Sequence, residues 1–395
     1  RHGVSIAQIV VGAVANIGVA EVNTKVPGAN MKITKVRAVS HKVRNTMTGW
    51  KTSLGGHDTH ELIFVRIDTD ENLAGIGIAS PGALFIAGDT GVNVLEMVNN
   101  RFGPAIVGAD PFDIEAIMHK LDQVVRGAER PKAGIDLALY DLCGKAVKAP
   151  CNRLFGGVIH PRVRVTRLMG MFEPKVMAER SGELAQRGYS AFKLKVGTTV
   201  KEDVERVKRV REAVGPNATI TIDFNQACSA KEAIVSIEAM APYDVALVEQ
   251  PVKLTDLKGM ALVRQEVRPL VMADEAVNSA TDALRIIDAG AADVISLKIP
   301  KMGGIFKARK AAAVCEAAGV DYLVGTAPGS RLLDAANAHL AASLRNLRLP
   351  CEIGEFERMA DDPVRGFEVV EGYASAPEKP GLGVEVDLKA IGLAE

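Results

Sequence analysis

From about residue 161 the chain alternates short apolar runs with amphipathic stretches: RVRVTRLMG, AFKLKV, TITIDFN, DVALVEQP, LVMADE, VISLKI, DYLVGT and PCEIG recur in turn, with helical patterns between them. Strands that are apolar throughout must be covered on both faces, which calls for a parallel sheet clothed in helices. Eight such units favour an α/β fold closed into a (β/α)8-like barrel, with an open doubly wound sheet as the rival. Polar residues at the strand ends discriminate between the two. Lys195, Asp223, Glu249, Asp274, Lys298 and Thr326 follow one another at intervals of 28, 26, 25, 24 and 28 residues, one βα unit each. In a barrel the carboxyl ends of successive strands converge on one mouth, so these six side chains are expected to meet.

Asp223 in TIDFN, Glu249 in VEQP and Asp274 in ADE each follow an apolar run that would not otherwise accept a charge. Crowded carboxylates raise one another's pKa unless a hard cation neutralises them. Mg2+ suits such an all-oxygen donor set, with Mn2+ as a substitute, whereas Zn2+ would call for His or Cys, and neither stands at these strand ends. The blander reading is that each acid caps the following helix. Lys193 and Lys195 stand one residue apart in AFKLKVG and so share a face of their strand, while Lys298 in ISLKIPK lies on the other side of the carboxylates. A lysine is a useful base only when its pKa falls toward neutrality, and a nearby cation, a second ammonium and burial all push it that way. Lys193 is therefore read as the neighbour that lowers the pKa of Lys195 and is free to meet a substrate carboxylate; Lys301 is placed on a loop or helix start.

Upstream, KITKVRAVSHKV, THELIFVRIDT and NLAGIGIAS read as an antiparallel meander, followed by helices near DPFDIEAIMHKLDQVV and PKAGIDLALYDLCGKAVK, the latter with Ile135, Leu139 and Leu142 at helical spacing. These are assigned to an α+β N-terminal capping domain over residues 31–160, ahead of a barrel over 161–354 and a segment, 355–395, that returns to the cap. The stretch VKEDVERVKRVREAV is expected to bury Val200, Val204, Val207 and Val214. Residues 1–30 are left outside the fold, because their apolar stretch is broken by Gln8 and Asn16 and preceded only by Arg1 and His2, too weak a pattern for a secretory leader. Lysine plus arginine equals aspartate plus glutamate at 48 each, so no charge excess draws the chain to nucleic acid or an anionic membrane, and a small molecule is the default partner. Cys143, Cys151, Cys228, Cys315 and Cys351, scattered and without a C-x-x-C, fit reduced thiols in a cytoplasmic enzyme.

The motifs GIDLALYDLCGK ahead of LFGG, then FKLKVG, IDFNQA, LVEQP, MADEAV and LKIPKMGG, resemble in kind and order the enolase superfamily, and within it the muconate-lactonizing (muconate cycloisomerase) subgroup, over about residues 32–390. The resemblance implies the modified (β/α)7β form of the barrel. It implies an Mg2+-dependent isomerase that removes the proton α to a substrate carboxylate through a metal-stabilised enediolate. Asp223, Glu249 and Asp274 then hold the metal, Lys195 and Lys298 are acid/base groups on opposite faces with Lys193 beside them, and Asn225 holds the carboxylate. Trp50 and Thr326 are taken as further substrate contacts, and a homo-oligomer is implied. The mandelate racemase branch is disfavoured, since its base is a seventh-strand histidine and YLVGTAPG has none.

Returning a proton to the opposite face gives racemisation or epimerisation of an amino-acid derivative; ring closure or its reverse gives cycloisomerisation. Loss of a β-group makes the enzyme a lyase, an acid dehydratase or o-succinylbenzoate synthase-like, and the shared motifs do not choose. Two departures bear on the choice. VGTAPGSRLL offers Gly329, Ser330 and Arg331 where the subgroup often carries a glutamate, and CEIGEF lacks the D-x-D expected of dipeptide epimerases, which disfavours a dipeptide. Glu352 and Glu355 are read as solvating a loop, with contact to the substrate as the alternative. The segment NTMTGWKTSLGGHDTH, with the sole tryptophan, Trp50, reads by itself equally as a mobile hairpin turn or a lid; the resemblance implies a lid over the barrel mouth, and its His57 and His60 are taken as non-catalytic. Readings from other classes are a metal-binding barrel without activity and a phosphosugar enzyme using GTAPGS to hold an anion; the second leaves the three carboxylates unexplained.

Overall fold

A computed structural model describes residues 30–56, 58–82 and 89–394; the readings of the first 29 residues and of His57 lie outside them. The meander forms as expected: β1 (Ile33–Asn45) pairs antiparallel with β2 (Thr59–Thr69), and β2 with β3 (Ala74–Ala79). Two helices follow, α1 (Ile114–Val124) and α2 (Glu129–Ala146). Every residue of α2 from Arg130 to Gly144 is buried, because the helix lies between the cap sheet and the barrel; the stripe of Ile135, Leu139 and Leu142 understates its burial. Gly75 and Gly77 permit the close approach, since a Cβ at either would stand 2.0 Å from a carbonyl oxygen of the helix, that of Ala138 or of Gly134.

Seven strands then lie side by side in chain order, every pair parallel: β4 (Arg167–Met169), β5 (Ala191–Lys195), β6 (Thr219–Asp223), β7 (Val245–Glu249), β8 (Leu270–Ala273), β9 (Val294–Leu297) and β10 (Asp321–Val324). A doubly wound sheet would reverse its order part-way, so the rival is excluded. The covering helices are α3 (Pro174–Gln186), α4 (Val200–Val214), α5 (Ala230–Met240), α6 (Leu257–Glu266), α7 (Ala280–Asp288), the one-turn α8 (Ile299–Met302), α9 (Ile305–Ala318) and α10 (Arg331–Ser343).

The eighth unit differs from expectation. PCEIG makes a single bridge, Cys351 to Val165, with the Cys351 N–H donating to the Arg164 carbonyl at 2.9 Å and the Glu352 N–H to the Val324 carbonyl at 2.8 Å. Pro350 has no N–H to give a ladder, and Gly354 at φ 100° turns the chain away. The two edges of the sheet are thus joined by one residue pair, the modified (β/α)7β barrel under its cap. RVRVTRLMG also divides, its Val163–Arg164 pairing antiparallel with Tyr373–Ala374 and only Arg167–Met169 entering the barrel. On α4 the buried face is Asp203, Arg206, Val207 and Val210, whereas Val200 is exposed. Asp203 accounts for the shift: it accepts from the Gly197 and Thr198 N–H groups and from Arg206, drawing a polar pair inward.

Two aspartates of α2 tie cap, barrel and C-terminal segment together. Asp141 accepts from the Ile76 N–H at 2.8 Å and the Leu382 N–H at 2.9 Å. Asp136 accepts from the Ile305 and Phe306 N–H groups at 2.6 and 3.4 Å, at the start of α9. Asp136→Ala leaves those donors unmatched in the core and should cost about 1–3 kcal/mol in urea denaturation. Burial pushes the Asp136 carboxyl up to about 8, so the folded chain keeps a proton that the unfolded chain releases near the ordinary aspartate value. This group's contribution to stability should therefore fall as pH rises toward about 8, and comparing the pH dependence of the urea midpoint in wild type and Asp136→Ala isolates it. Identical midpoints at every pH would contradict both effects. The strand Met359–Ala360 pairs with β1, and the Leu393 carbonyl accepts from Arg66. Among the described residues no helix is long and apolar enough to cross a membrane.

Candidate active site

Register sets the level of the site. Lys195, Asp223 and Glu249 are the last residues of β5, β6 and β7 and stand opposite one another across the ladder. Asp274 and Lys298 directly follow β8 and β9, and Thr326 lies just past β10. The helices after β6, β7 and β8 take their caps from Ser229, Asp256 and Ser279. Helix capping therefore does not explain the three strand-end acids.

Lys195 donates to Asp223 Oδ2 at 2.5 Å and to Asn225 Oδ1 at 2.8 Å, and the Asn225 amide donates to Glu275 Oε1 at 3.1 Å. Asn225 and Gln226 hold left-handed backbone, φ 44° and 69°, which folds the chain back so that the Asn225 N–H also meets Asp223 Oδ1. Asp274 is shared: Lys298 takes Oδ2, while Lys301 takes Oδ1 at 2.7 Å and the Asp274 carbonyl at 2.5 Å. Lys301 is on α8, as placed from the sequence, yet its ammonium reaches the site.

Lys193 has a different occupation from the expected one. Its ammonium lies 2.6 Å from Glu249 and from Glu352 and 3.1 Å from Asp223, out of solvent. Burial alone would depress its pKa, but Asp223, Glu249 and Glu352 outweigh burial and hold it well above the usual lysine value. Lys298 is likewise raised, by Asp274 and then Glu352 against burial. Lys298, one of the two expected bases, is therefore held up rather than lowered, because carboxylates surround its ammonium. Nor do Glu352 and Glu355 belong to a solvated loop: Glu352 bridges Lys193 and the Thr326 N–H, and Glu355 pairs with Arg358, all buried.

The donor set fits a cation. Among the described residues Asp223, Glu249, Asp274 and Glu352 pair with Lys193, Lys195, Lys298 and Lys301, Glu275 stands beside them, and Arg130 acts on Asp274 through space without a hydrogen bond. Lys193 and Lys195 hold Asp223 low despite its burial, while Glu249 is driven far above the carboxylate range by burial and then by Asp223. Glu275 is raised too, by burial and then Asp274, and its Oε2 is buried with no hydrogen-bond partner. A further positive charge is what this cluster lacks. Among the described residues no three acidic, histidine or cysteine side chains already surround a common point, since each acid is turned to a lysine.

A cavity of about 500 Å³ opens above the cluster, with Trp50, Lys193, Lys195, Asn225, Asp274, Lys298 and Thr326 in its wall; Asp223 and Glu249 are buried behind it. Trp50, from the cap, stacks beneath the Arg358 guanidinium at 3.7 Å and meets Phe172 edge-on. Ser53 of the same segment donates to the Phe224 carbonyl at 2.8 Å, so the glycine-rich stretch reaches the barrel mouth. His60 also lines the cavity. Ser330 instead caps α10, and Arg331 pairs with Asp362. Sequence reasoning missed Glu275, Arg130, Asp89, Glu129 and Arg358 in the wall. For Glu275 the signal was its place beside Asp274 in ADE.

Two family models match: the mandelate racemase/muconate lactonizing enzyme N-terminal domain over residues 33–156, and the enolase C-terminal domain-like model over residues 176–390. The chain belongs to the mandelate racemase/muconate lactonizing enzyme family. Members similar to it include the hydrophobic dipeptide epimerase of Enterococcus faecalis, 40% identical over 80% of this chain and 88% of that protein. The N-succinyl-L-Arg/Lys racemase of Bacillus cereus is 32% identical over 90% and 96%, and the chloromuconate cycloisomerase of Cupriavidus pinatubonensis 30% over 82% and 88%. The solved structure of the dipeptide epimerase from Enterococcus faecalis V583, complexed with Mg and the dipeptide L-Leu-L-Tyr, superposes with a TM-score of 0.85 at 36% identity, over 90% of this chain and 99% of that one. As a member of this family, the chain is an isomerase of the enolase superfamily.

Proposed function

We propose that the chain is an Mg2+-dependent epimerase or racemase of dipeptides or N-acylated amino acids, inverting the carbon next to the free carboxylate. The observation that carries the reading is the placement of Lys195 and Lys298 at the ends of β5 and β9, with the strands of Asp223, Glu249 and Asp274 between them. Asp223, Glu249 and Asp274 would hold the cation. Bound there, Mg2+ would supply charge stabilisation to the enediolate, and the three acids that would hold it are those now paired with Lys193, Lys195 and Lys298.

The lysines do the proton work. One, as the free amine, takes the α-proton; the C–H electron pair enters the enediolate; the other, as ammonium, returns a proton to the opposite face. Asn225, bonded to Lys195 and Glu275, fixes the base beside the carboxylate, and Trp50 closes the cavity over the substrate. The same reading gives residues 31–160 the task of enclosing substrate, 161–354 the chemistry, and 355–395 the joining of the two, supported by Trp50 and Arg358 meeting in the cavity wall.

The missing D-x-D in CEIGEF counts against a dipeptide, but a 40% identical relative that epimerises hydrophobic dipeptides counts for one more strongly than any single motif counts against. The test is a panel of dipeptides and N-succinyl amino acids in D2O with Mg2+, followed by NMR. Deuterium at the α-carbon and growth of the second epimer are expected, both lost on chelation. Turnover of a muconate with no exchange into any amino-acid derivative would make the chain a cycloisomerase instead.

A further inference from the structure

We infer that Arg130 selects substrates that carry a second carboxylate, remote from the reacting carbon. The inference rests on the epimerase reading and names its substrate class. Arg130 is in the first turn of α2, which belongs to the cap rather than the barrel, and follows Ala128, a non-glycine residue at φ 53°. The residue is 9% exposed and lines the cavity whose wall also holds Lys298 and Asp274.

A guanidinium has five N–H donors. Among the described residues only the Ser80 carbonyl accepts from Arg130, at 2.7 Å from Nη1. Asp89 and Asp274 act on it through space without accepting a hydrogen bond. Arg206, also buried, shows what a structural arginine does here: it is matched by the Phe172 carbonyl at 3.0 Å, Thr198 at 2.6 Å and Asp203 at 2.7 Å. A buried guanidinium left with one neutral acceptor is costly unless something else meets it, and the open side of Arg130 is the cavity. Burial pulls its pKa down to about 10, so it is still a cation at neutral pH.

The reacting carboxylate has its own place at the strand ends between Lys195 and Lys298, so the acceptor for Arg130 is another group. The planar fork matches a carboxylate in two parallel hydrogen bonds better than any neutral acceptor. That carboxylate is either the side chain of a C-terminal acidic residue or the far end of a diacid acyl chain.

Matched pairs separate the two sources: L-Ala–L-Glu against L-Ala–L-Gln, and an N-succinyl against an N-butanoyl amino acid. The wild type should favour the charged member of at least one pair by about 10-fold or more in kcat/KM. Arg130→Met should bring that ratio near unity, mainly through KM, and Arg130→Lys should restore part of it. A merely structural arginine would weaken both members alike and leave the ratio unchanged. An unchanged ratio in Arg130→Met, or no charge preference in the wild type for either pair, overturns the inference. Calorimetric binding of the same four compounds with Mg2+ reads the ratio without turnover. Binding selectivity without deuterium exchange would therefore sink the epimerase reading and leave Arg130 standing, whereas exchange without selectivity would do the reverse.

Discussion

Lys195→Ala and Lys298→Ala should each lower epimerisation by about 100- to 10,000-fold, the range for losing a positioned acid or base. The two side chains enter from the ends of β5 and β9, with three strands between them, so in the proposed reaction each would serve one face of a planar enediolate. With one lysine gone, the other still takes the proton from the epimer it faces and returns deuterium to that same face. Exchange without inversion, in opposite epimers for the two variants, is the signature to be read by NMR. Unimpaired inversion in either variant would remove that lysine from the mechanism.

Glu249→Gln should be nearly as damaging, for a different reason. Glu249 is fully buried, its nearest partner is Lys193, and burial with Asp223 beside it pushes its carboxyl far above the ordinary range. A cation relieves that repulsion, and the neutral amide removes one of the three charges that would hold it. The Mg2+ concentration for half-maximal exchange should rise by about 100-fold or more, by analogy with the 10- to 100-fold lost when even an outer contact to a ligand is removed. Wild type should gain about 2.7 kcal/mol of stability at 100 times its Mg2+ dissociation constant, seen as a rise in Tm, and the variant far less. An Mg2+ dependence unchanged by the substitution would show that Glu249 is not a ligand.

The strand-end residues were legible because a parallel barrel has one βα unit per strand, so a spacing near 26 becomes a common level; Lys195, Asp223 and Glu249 do stand opposite one another. The meander was legible for a different reason, strand-like runs set off by turn-rich segments. Periodicity failed where polar contacts or backbone constraints override apolar patterning. Asp203 and Arg206 draw α4 around from its valine stripe, and Pro350 with Gly354 reduces the eighth strand to a single bridge. Lys193 and Glu352 were misjudged because each finds the other 159 residues away in the chain, a pairing that no local pattern announces; Glu355 pairs only three residues on, with Arg358, and what its sequence did not announce is the burial of that pair. Arg130 and Arg358 reach the cavity from the cap helix and the returning C-terminal segment, so neither lies on a barrel strand whose spacing could reveal it.

The most direct measurement is diffraction from crystals grown with Mn2+ in place of Mg2+, with data collected for the anomalous signal of the ion. One peak per chain, about 2.1 Å from an oxygen each of Asp223, Glu249 and Asp274, with the Lys195 and Lys298 ammoniums drawn off those carboxylates, is the result expected. A cluster still closed by its lysines at saturating Mn2+, or a peak that shares none of these three acids, would contradict the account.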